Sequence, residues 1–316
     1  MTKFQDAAFL KGSQYAGADK LAARISLHDQ FTVSHIGLHR WIFDIMLSAI
    51  GSRGRVLEVG SGRGDLWKKN ATPERKDLIG DDTEKIVKLR AAMKAKAGDL
   101  REETQPADTS ERFGRIPSGW SITLTDLSAG MLADNKAHLG EDLASRFSYR
   151  EADVQALPYP DHSFDAVIAN YMLYHAPDLG AAVAELRRVL RPGGVLFAMT
   201  NGTRHLLEIN QFVEKSGISA AASTFGMMNV RLAFSLQNGK ALLGTAFKDV
   251  VRLDFPTELM VTEVQPILDY VASMLEDPDE VMSGAGGLAL ARILELQLAE
   301  TGLIRISKET GMFVAR

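Results

Sequence analysis

The stretch VLEVGSGRGDLWKKN, residues 56–70, decides the fold class of this chain. Glu58 lies near the end of a short apolar run, and Gly60, Gly62 and Gly64 follow it before a segment of helical character. Glycines between a strand and a helix let backbone amides approach a ligand at the helix N-terminus. The sequence therefore predicts a ligand site at the carboxyl end of this strand.

Short apolar runs alternate with helical patterns from residue 55 onward. The predicted strands are RVLEV, SITLT, FSYREA, FDAVIAN and GGVLFAMT. Helices are predicted between them at residues 128–139, with Ser128 as N-cap, and at residues 178–190, with Asp178 as N-cap. This alternation predicts βαβ units and a mostly parallel sheet.

The segments that flank this region are mainly helical. Two amphipathic helices precede the glycine turn, and three more are predicted at 205–215, 262–276 and 288–301. Strands are expected at KDVVRLDF and in the terminal LIRISKETGMFVAR, where they would close the sheet. The terminal segment is predicted to form an edge hairpin that turns at residues 308–310.

The acids around the glycine turn indicate the type of ligand. A dinucleotide fingerprint counted from Gly60 requires a glycine at position 65, where this chain has Asp65. Because Asp65 and Glu58 would repel a pyrophosphate, they suit a cationic or amine-bearing ligand better.

Four ordered blocks resemble the motifs of class I S-adenosylmethionine-dependent methyltransferases. They are EVGSGRG, LTDLSAGML, EADVQALPYPDHSFDAVIANYMLYHAPD and ELRRVLRPGGVLFAMTNG, which cover roughly residues 55–202. The resemblance implies an α/β, Rossmann-like, doubly wound, mostly parallel seven-stranded sheet with an antiparallel final strand. It also implies S-adenosylmethionine as cofactor and S-adenosylhomocysteine as product.

The resemblance further implies which residues bind the cofactor. Asp126 would accept hydrogen bonds from both ribose hydroxyls, Asp153 would meet the adenine amino group, and Val154 would meet the adenine ring. The other positions implied by the motifs are Glu58, Gly60, Gly62, Leu127, Met131 and Asn170.

Two residues of the N-terminal helices are further candidates. Tyr15 is expected over the methionine part of the cofactor, and Arg24 beside its carboxylate. The alternatives are a surface anchor for Tyr15 and a solvated helix pair for Arg24.

His175, in the loop after FDAVIAN, is the candidate proton acceptor, the alternative being a purely structural bond to nearby backbone. His205 and Glu208 form a candidate i,i+3 pair that faces the substrate. We also predict an apolar pocket for the methyl acceptor, lined by Phe212, Phe225, Met227, Met228, Phe234 and Met260. The alternative is that these side chains only pack in the hydrophobic core.

Composition narrows the class of acceptor. The absence of cysteine excludes disulfides, thiolate nucleophiles and Cys-ligated zinc, and we predict no metal site. A net charge of −4 without a basic tract argues against nucleic acid, as does the lack of a proline-rich motif after Asn170. No apolar run reaches 18 residues, so we expect no membrane partner and a cytoplasmic location. The sequence favours a small-molecule acceptor and leaves a homo-oligomer open.

The predicted domains are an N-terminal helical cap at 1–50, a cofactor-binding core at 51–202, and substrate-side helices with closing strands at 203–316. Asp126 follows Glu58 far beyond the roughly 20 residues usual between a glycine turn and its ribose acid. Residues 68–115 are therefore predicted to be a helical insertion between the first helix and the second strand of the core. The insertion could be a solvent-exposed loop without a binding role, a lid over the site or an oligomer contact, and the sequence leaves these three alternatives open.

The leading hypothesis is methyl transfer from S-adenosylmethionine to an O, N or C atom of a small molecule in secondary metabolism. An NAD-dependent oxidoreductase is the second hypothesis, which Asp65 disfavours. The third is a scaffold or regulatory protein that binds the cofactor without turnover.

Overall fold

The computed structural model describes residues 19–34, 36–71, 114–218, 233–275 and 277–316. Several predictions fall outside this part of the chain and are not tested by it. They concern Tyr15, the helix within the predicted insertion, and the pocket candidates Phe225, Met227 and Met228.

A seven-stranded sheet forms the centre of the fold and confirms the predicted fold class. Its strands are β2 (Arg53–Val59), β3 (Gly119–Asp126), β4 (Phe147–Glu151), β5 (Phe164–Asn170), β6 (Leu190–Asn201), β7 (Val250–Phe255) and β10 (Thr310–Ala315). They are arranged in the order β4-β3-β2-β5-β6-β10-β7. The neighbours from β4 to β6 are parallel, and β10 is antiparallel to both β6 and β7.

The predicted edge hairpin at the end of the chain is wrong. Strand β9 (Ile304–Ser307) joins a second sheet, whereas β10 lies inside the large sheet, where Thr310 pairs with Asn201 and Phe255. All six residues of β10 are buried, which an edge position would not allow. The turn at 308–310 therefore connects two sheets.

The helices lie on both faces of the large sheet and beyond its carboxyl edge. They are α1 (Asp19–Phe31), α2 (Leu38–Ile50), α3 (Asp65–Ala71), α4 (Ala129–Leu139), α5 (Glu141–Ala144), α6 (Leu179–Val189), α7 (Leu207–Ser216), α8 (Gly239–Leu243), α9 (Gln265–Ala272), α10 (Pro278–Ser283) and α11 (Ala285–Thr301). Ser128 and Asp178 are N-caps as predicted, since their side chains accept from the backbone N–H of Met131 and Ala181. No helix within the described ranges combines the length and apolar composition needed to cross a bilayer.

A three-stranded antiparallel sheet, which the sequence did not predict, joins segments from both ends of the chain. It contains β1 (Thr32–Val33), β8 (Glu258–Val261) and β9, in the order β1-β8-β9. A hydrophobic cluster behind it includes Leu27 of α1, Ile209 of α7 and Leu294 of α11. The N-terminal helix thus packs with the C-terminal helices. The three-stranded sheet together with α1, α7, α9 and α11 forms the cap layer, which lies over the carboxyl edge of the large sheet.

The two ends of the predicted insertion meet. The backbone N–H of Arg115 donates to the carbonyl of Asn70 at 2.9 Å, and the Arg115 guanidinium forms an ion pair with Asp44 of α2. Between these ends lie residues 72–113, which the structure does not describe. The chain therefore leaves the core after α3 and returns to the same point before β3.

Candidate functional site

A cavity of about 720 Å³ opens at the carboxyl edge of the large sheet, beneath the cap layer. Three residues near the carboxyl ends of strands line the cavity: Glu58 of β2, Asp126 of β3 and Asn170 of β5. Every predicted cofactor residue within the described chain lines it, as does His175: Arg24, Glu58, Gly60, Gly62, Asp126, Leu127, Met131, Asp153, Val154 and Asn170. Parallel strands explain this convergence, since their carboxyl ends share one edge.

The glycine turn brings backbone to the floor of the cavity. Gly60 and Gly62 have φ angles of +63° and +53°, in the left-handed region that glycine adopts without a steric penalty. A side chain at Gly60 would meet Met172, because a Cβ there would lie 2.8 Å from the Met172 Cβ. At Gly62 a Cβ would meet nothing within 4 Å. Gly62 therefore leaves open space on the cavity wall, as a turn that cradles a ligand requires.

Asp126 is held beside this turn by backbone donors. Its Oδ2 accepts from the N–H of Gly62 at 3.1 Å, and its Oδ1 accepts from the N–H of Ser128 at 3.0 Å. Burial raises the pKa of Asp126, and these backbone hydrogen bonds oppose that rise. Each carboxylate oxygen accepts more than one hydrogen bond, so both retain acceptor capacity toward the cavity.

Glu58 is buried, and no basic side chain of the described residues forms an ion pair with it. Trp67 Nε1 donates to its Oε2 at 2.6 Å, and Asn170 Nδ2 donates to its Oε1 at 3.4 Å. Burial raises the pKa of Glu58 from 4.5 to about 8, because two neutral donors do not replace the lost hydration of a carboxylate. A cation brought into the cavity would favour the ionised form.

The adenine-binding candidates lie at the end of β4. Asp153 accepts from the backbone N–H of Gln155 at 2.9 Å and from its side-chain Nε2 at 3.1 Å, which fixes the carboxylate at the cavity wall. Val154 is 6% exposed and supplies an apolar surface beside it. This geometry is compatible with a planar base.

Polar atoms at this end of the cavity indicate a ligand that donates hydrogen bonds. The Oδ1 of Asn170 is buried and has no hydrogen-bond partner among the described residues. No lysine or arginine of the described chain forms an ion pair with Glu58, Asp126 or Asp153. These groups fit a nucleoside that carries hydroxyls, an amine and a positive sulfur.

Arg24 and His175 line the cavity from opposite directions. The Arg24 guanidinium, on α1, donates to the carbonyl of Ser273 at 3.1 Å and so joins α1 to the end of α9. His175 closes a short 3₁₀ turn after β5, where its backbone N–H donates to the carbonyl of Met172 and its ring contacts Tyr174 edge-on.

Tyr171 has a strained backbone at the end of β5. Its φ of +55° is in the left-handed region, which is uncommon for a residue other than glycine. Its hydroxyl bonds to Thr310, and burial raises its pKa. Backbone strain held by surrounding contacts is frequent at functional sites, and here it places the Tyr171 ring on the cavity wall.

Several predicted pocket residues lie elsewhere. Phe234 is fully buried against Phe313, whereas Phe212 and Met260 belong to the cap layer, and none of the three lines the cavity. Phe234 is a core residue and Phe212 packs against the core of the cap layer, the alternative that helical spacing left open, whereas Met260 is partly buried on β8. The pairing of Glu208 with His205 is also wrong, because the Glu208 carboxylate accepts from the backbone N–H and hydroxyl of Ser307.

Other cavity residues were not predicted from the sequence. Their side chains come from α2, α9 and the turn before β10, and they are His39, Tyr270, Lys308 and Thr310. Burial and the charge of Lys69 lower the pKa of His39 to about 4, so its imidazole is neutral at pH 7. No motif marks these residues, since tertiary packing of α2 and of the cap layer places them at the cavity.

Comparison with known proteins decides the family. Residues 109–198 match the family described as a methyltransferase domain. A ubiquinone/menaquinone biosynthesis C-methyltransferase UbiE of Saccharophagus degradans is 29% identical over 168 residues, which cover 52% of this chain and 50% of that protein. The UbiE protein of Hahella chejuensis is 36% identical over 95 residues, 29% of this chain and 38% of that protein.

The chain carries a class I S-adenosylmethionine-dependent methyltransferase domain. The matched residues begin near the end of the predicted insertion, so they do not include the glycine turn. The turn belongs to the same methyltransferase domain, because β2, which leads into it, pairs with β3 of the matched region. The cofactor of the domain is S-adenosylmethionine. The chain spans about half or less of the curated relatives named here.

A solved structure has the same fold as the methyltransferase chain. It is phosphoethanolamine N-methyltransferase 2 of Haemonchus contortus in complex with S-adenosyl-L-methionine. The TM-score is 0.50 at 17% sequence identity, and the alignment covers 100% of this chain and 60% of that one. At this identity the similarity concerns the fold alone.

Proposed function

We propose that this protein transfers a methyl group from S-adenosylmethionine to an O, N or C nucleophile of a small molecule in a biosynthetic reaction of secondary metabolism. One observation carries the proposal: Glu58, Asp126 and Asp153 lie after successive strands, face one cavity and have no cationic partner among the described residues. Glu58 is buried, and a buried carboxylate without a compensating charge is costly to a protein unless a ligand supplies one.

Each acid has a distinct proposed role toward the cofactor. Glu58 and the unpartnered Oδ1 of Asn170 would hold the amino group of the methionine part. Asp126 would accept from the ribose hydroxyls, with Gly62 giving the ribose room. Asp153 would accept from the adenine amino group. Apolar side chains would hold the adenine ring, and they are Leu127, Met131 and Val154.

The chain's own contribution to catalysis is alignment and exclusion of water. When bound, S-adenosylmethionine supplies a methyl group on a positive sulfur, which a nucleophile displaces in line. Tyr15 and Arg24 are proposed to hold the methionine part from the cap, and His175 to accept the proton of the nucleophile or orient it.

The UbiE relatives support a biosynthetic reaction, since their names place them in ubiquinone and menaquinone biosynthesis. The alignment covers half or less of those proteins, so their acceptor is not carried over to this chain. A cytoplasmic location, a homo-oligomer and the three-part domain division also stay predictions.

Isothermal titration calorimetry with S-adenosylhomocysteine tests the proposal. Wild type is expected to bind, and Asp126→Ala to lose at least about 100-fold in affinity, because two charge-assisted hydrogen bonds disappear. Asp142→Asn, on the exposed first turn of α5, is the matched control and should bind like wild type. Binding of NADH without S-adenosylhomocysteine would establish the oxidoreductase alternative instead.

The role of His175 requires a separate measurement. Once an acceptor is in hand, His175→Asn is expected to lower kcat by about 10²-fold or more and to remove a limb of its pH profile, while S-adenosylhomocysteine affinity is unchanged. An unchanged kcat would assign His175 a structural role, and absence of turnover in wild type would favour the scaffold alternative.

A further inference from the structure

The cavity has opposite electrostatic character at its two ends. The cofactor end presents Glu58, Asp65, Asp126 and Asp153. The cap-layer side of the cavity is lined by Arg24, His28, His205 and Lys308, together with the acid Asp29. The two cations nearest the glycine turn already contact other groups, because Arg63 bonds to His138 and Lys69 forms a 2.7 Å ion pair with Asp29.

Lys308 is the cation at this basic end whose surroundings point to a ligand. Its Nζ donates to the hydroxyl of Thr32 at 3.1 Å, and no carboxylate of the described residues forms an ion pair with it. The adjacent acid faces away from it, since Glu309 accepts from the Arg204 backbone and from the Gln237 side chain. Lys308 is half-buried on the cavity wall, and its hydrogen-bond partner is neutral. Asp29 acts on Lys308 electrostatically, but its carboxylate is already paired with Lys69. Burial lowers its pKa to about 8, a cost that a bound anion would offset.

The sheet topology separates Lys308 from the cofactor end. Lys308 immediately precedes β10, whose first residue, Thr310, pairs with Asn201 at the carboxyl end of β6. From β2 to β10 there are three strand steps, or roughly 14 Å at about 4.8 Å per step. The backbone at Lys308 therefore lies on the far side of β5 from the glycine turn, where a methyl acceptor would enter.

Apolar and aromatic side chains lie between these two ends. Tyr171, Met172 and Tyr174 follow β5, while Ile36 and Leu38 come from the segment that begins α2. These side chains suit an apolar molecular body, and one lysine with neutral hydroxyl neighbours suits a monoanion better than a dianionic phosphate.

We propose that Lys308 binds a carboxylate of the methyl acceptor, so that the acceptor is a small carboxylic acid with an apolar body. This inference rests on the proposed methyltransferase function and specifies its substrate class. Lys308 is then a specificity-determining residue: the carboxylate bonds to Nζ while the nucleophilic atom extends toward β5 and the cofactor.

The test compares acids with their neutral amides on the S-adenosylhomocysteine complex. The probes are acetate, benzoate, 4-hydroxybenzoate and cinnamate, each paired with its primary amide, and the readouts are calorimetry and the unfolding temperature. At least one acid is expected to bind about tenfold or more tightly than its amide, since a charge-assisted hydrogen bond distinguishes them. Lys308→Met should remove the preference, Lys308→Arg should retain part of it, and Lys240→Met, at an exposed position on α8, should behave as wild type.

Three outcomes of the comparison between acids and amides overturn the inference. They are equal binding of acids and amides across the panel, no binding of any acid, and a preference that survives in a folded Lys308→Met protein. A separate comparison of S-adenosylhomocysteine with 5′-methylthioadenosine, which lacks the amino acid part, guards against misassignment. If Lys308→Met weakens only the former, Lys308 binds the cofactor carboxylate and the acceptor assignment is wrong. Failure of wild type to bind S-adenosylhomocysteine would instead refute the proposed function.

Discussion

The indole Nε1 of Trp67 donates to Oε2 of Glu58 at 2.6 Å, and both side chains are buried. This bond joins α3 to the end of β2 and keeps the carboxylate at the cavity wall. Because the partner is neutral, the carboxylate has a defined position without a compensating charge. Glu58 is therefore expected to oppose folding when ionised and to favour a cationic ligand.

The stability of the free protein should depend on pH through Glu58. Its pKa is about 8 in the folded protein against an ordinary value of 4.5, so folding takes up a proton. The contribution of Glu58 to stability is fully present below about pH 4.5, falls as pH rises to about 8, and is level above that. Glu58→Gln removes this dependence, so its unfolding temperature should exceed that of wild type by at least about 3 °C at pH 9.

The same scan at pH 5 provides the internal control, since the difference between Glu58→Gln and wild type should be smallest there. Glu141→Gln, on the exposed first turn of α5, should follow wild type at every pH. A difference in unfolding temperature that does not grow between pH 5 and pH 9 would show that Glu58 ionises normally.

Binding of S-adenosylmethionine should release a proton at pH 7. Glu58, whose pKa is about 8, is mostly protonated in the free protein, and a positive sulfur and amine favour its ionised form. Calorimetry in buffers of different ionisation enthalpy measures the number of protons released. We expect a value approaching one for wild type and a clearly smaller value for Glu58→Gln; equal values for the two proteins would contradict this assignment.

Alanine at the two cavity glycines should separate folding from binding. At Gly62 the added methyl group meets no protein atom, so the cost to folding is the left-handed backbone, about 1–2 kcal/mol. At Gly60 the methyl group also overlaps Met172, so Gly60→Ala should be the less stable protein. Denaturant unfolding and S-adenosylhomocysteine titration of both variants check this. Gly62→Ala is expected to fold and to bind at least about tenfold more weakly.

Removal of the excursion between α3 and β3 should leave the domain folded. Asn70 and Arg115 are joined by a backbone hydrogen bond, so a three-residue glycine-serine linker in place of residues 72–113 closes a short loop. The deletion variant is expected to unfold within about 5 °C of the full chain and to bind S-adenosylhomocysteine equally well. Loss of binding in a folded deletion variant would instead indicate that these residues act as a lid.

The strands and caps were predictable because their signals are local. Each predicted parallel strand corresponds to an observed one, and Ser128 and Asp178 cap the helices expected of them. The end of the chain was mispredicted because pairing is not a local property. Both strands of this segment, β9 (Ile304–Ser307) and β10 (Thr310–Ala315), have strand character in the sequence. Whether they pair with each other or with distant strands depends on the cap layer and on β6.

The cofactor end of the site follows from the sequence, whereas the acceptor end follows from the fold. Glu58, Asp126 and Asp153 come after consecutive strands, so parallel pairing alone brings them to one edge. Tyr270 and Lys308 are distant in sequence and meet at the cavity because the segments around β8 and β9 form a second sheet above that edge, whereas His39 comes from α2, which packs on the large sheet. Strand order is repeated at every βαβ unit and is therefore encoded locally, whereas the cap layer depends on long-range packing that the sequence pattern does not specify.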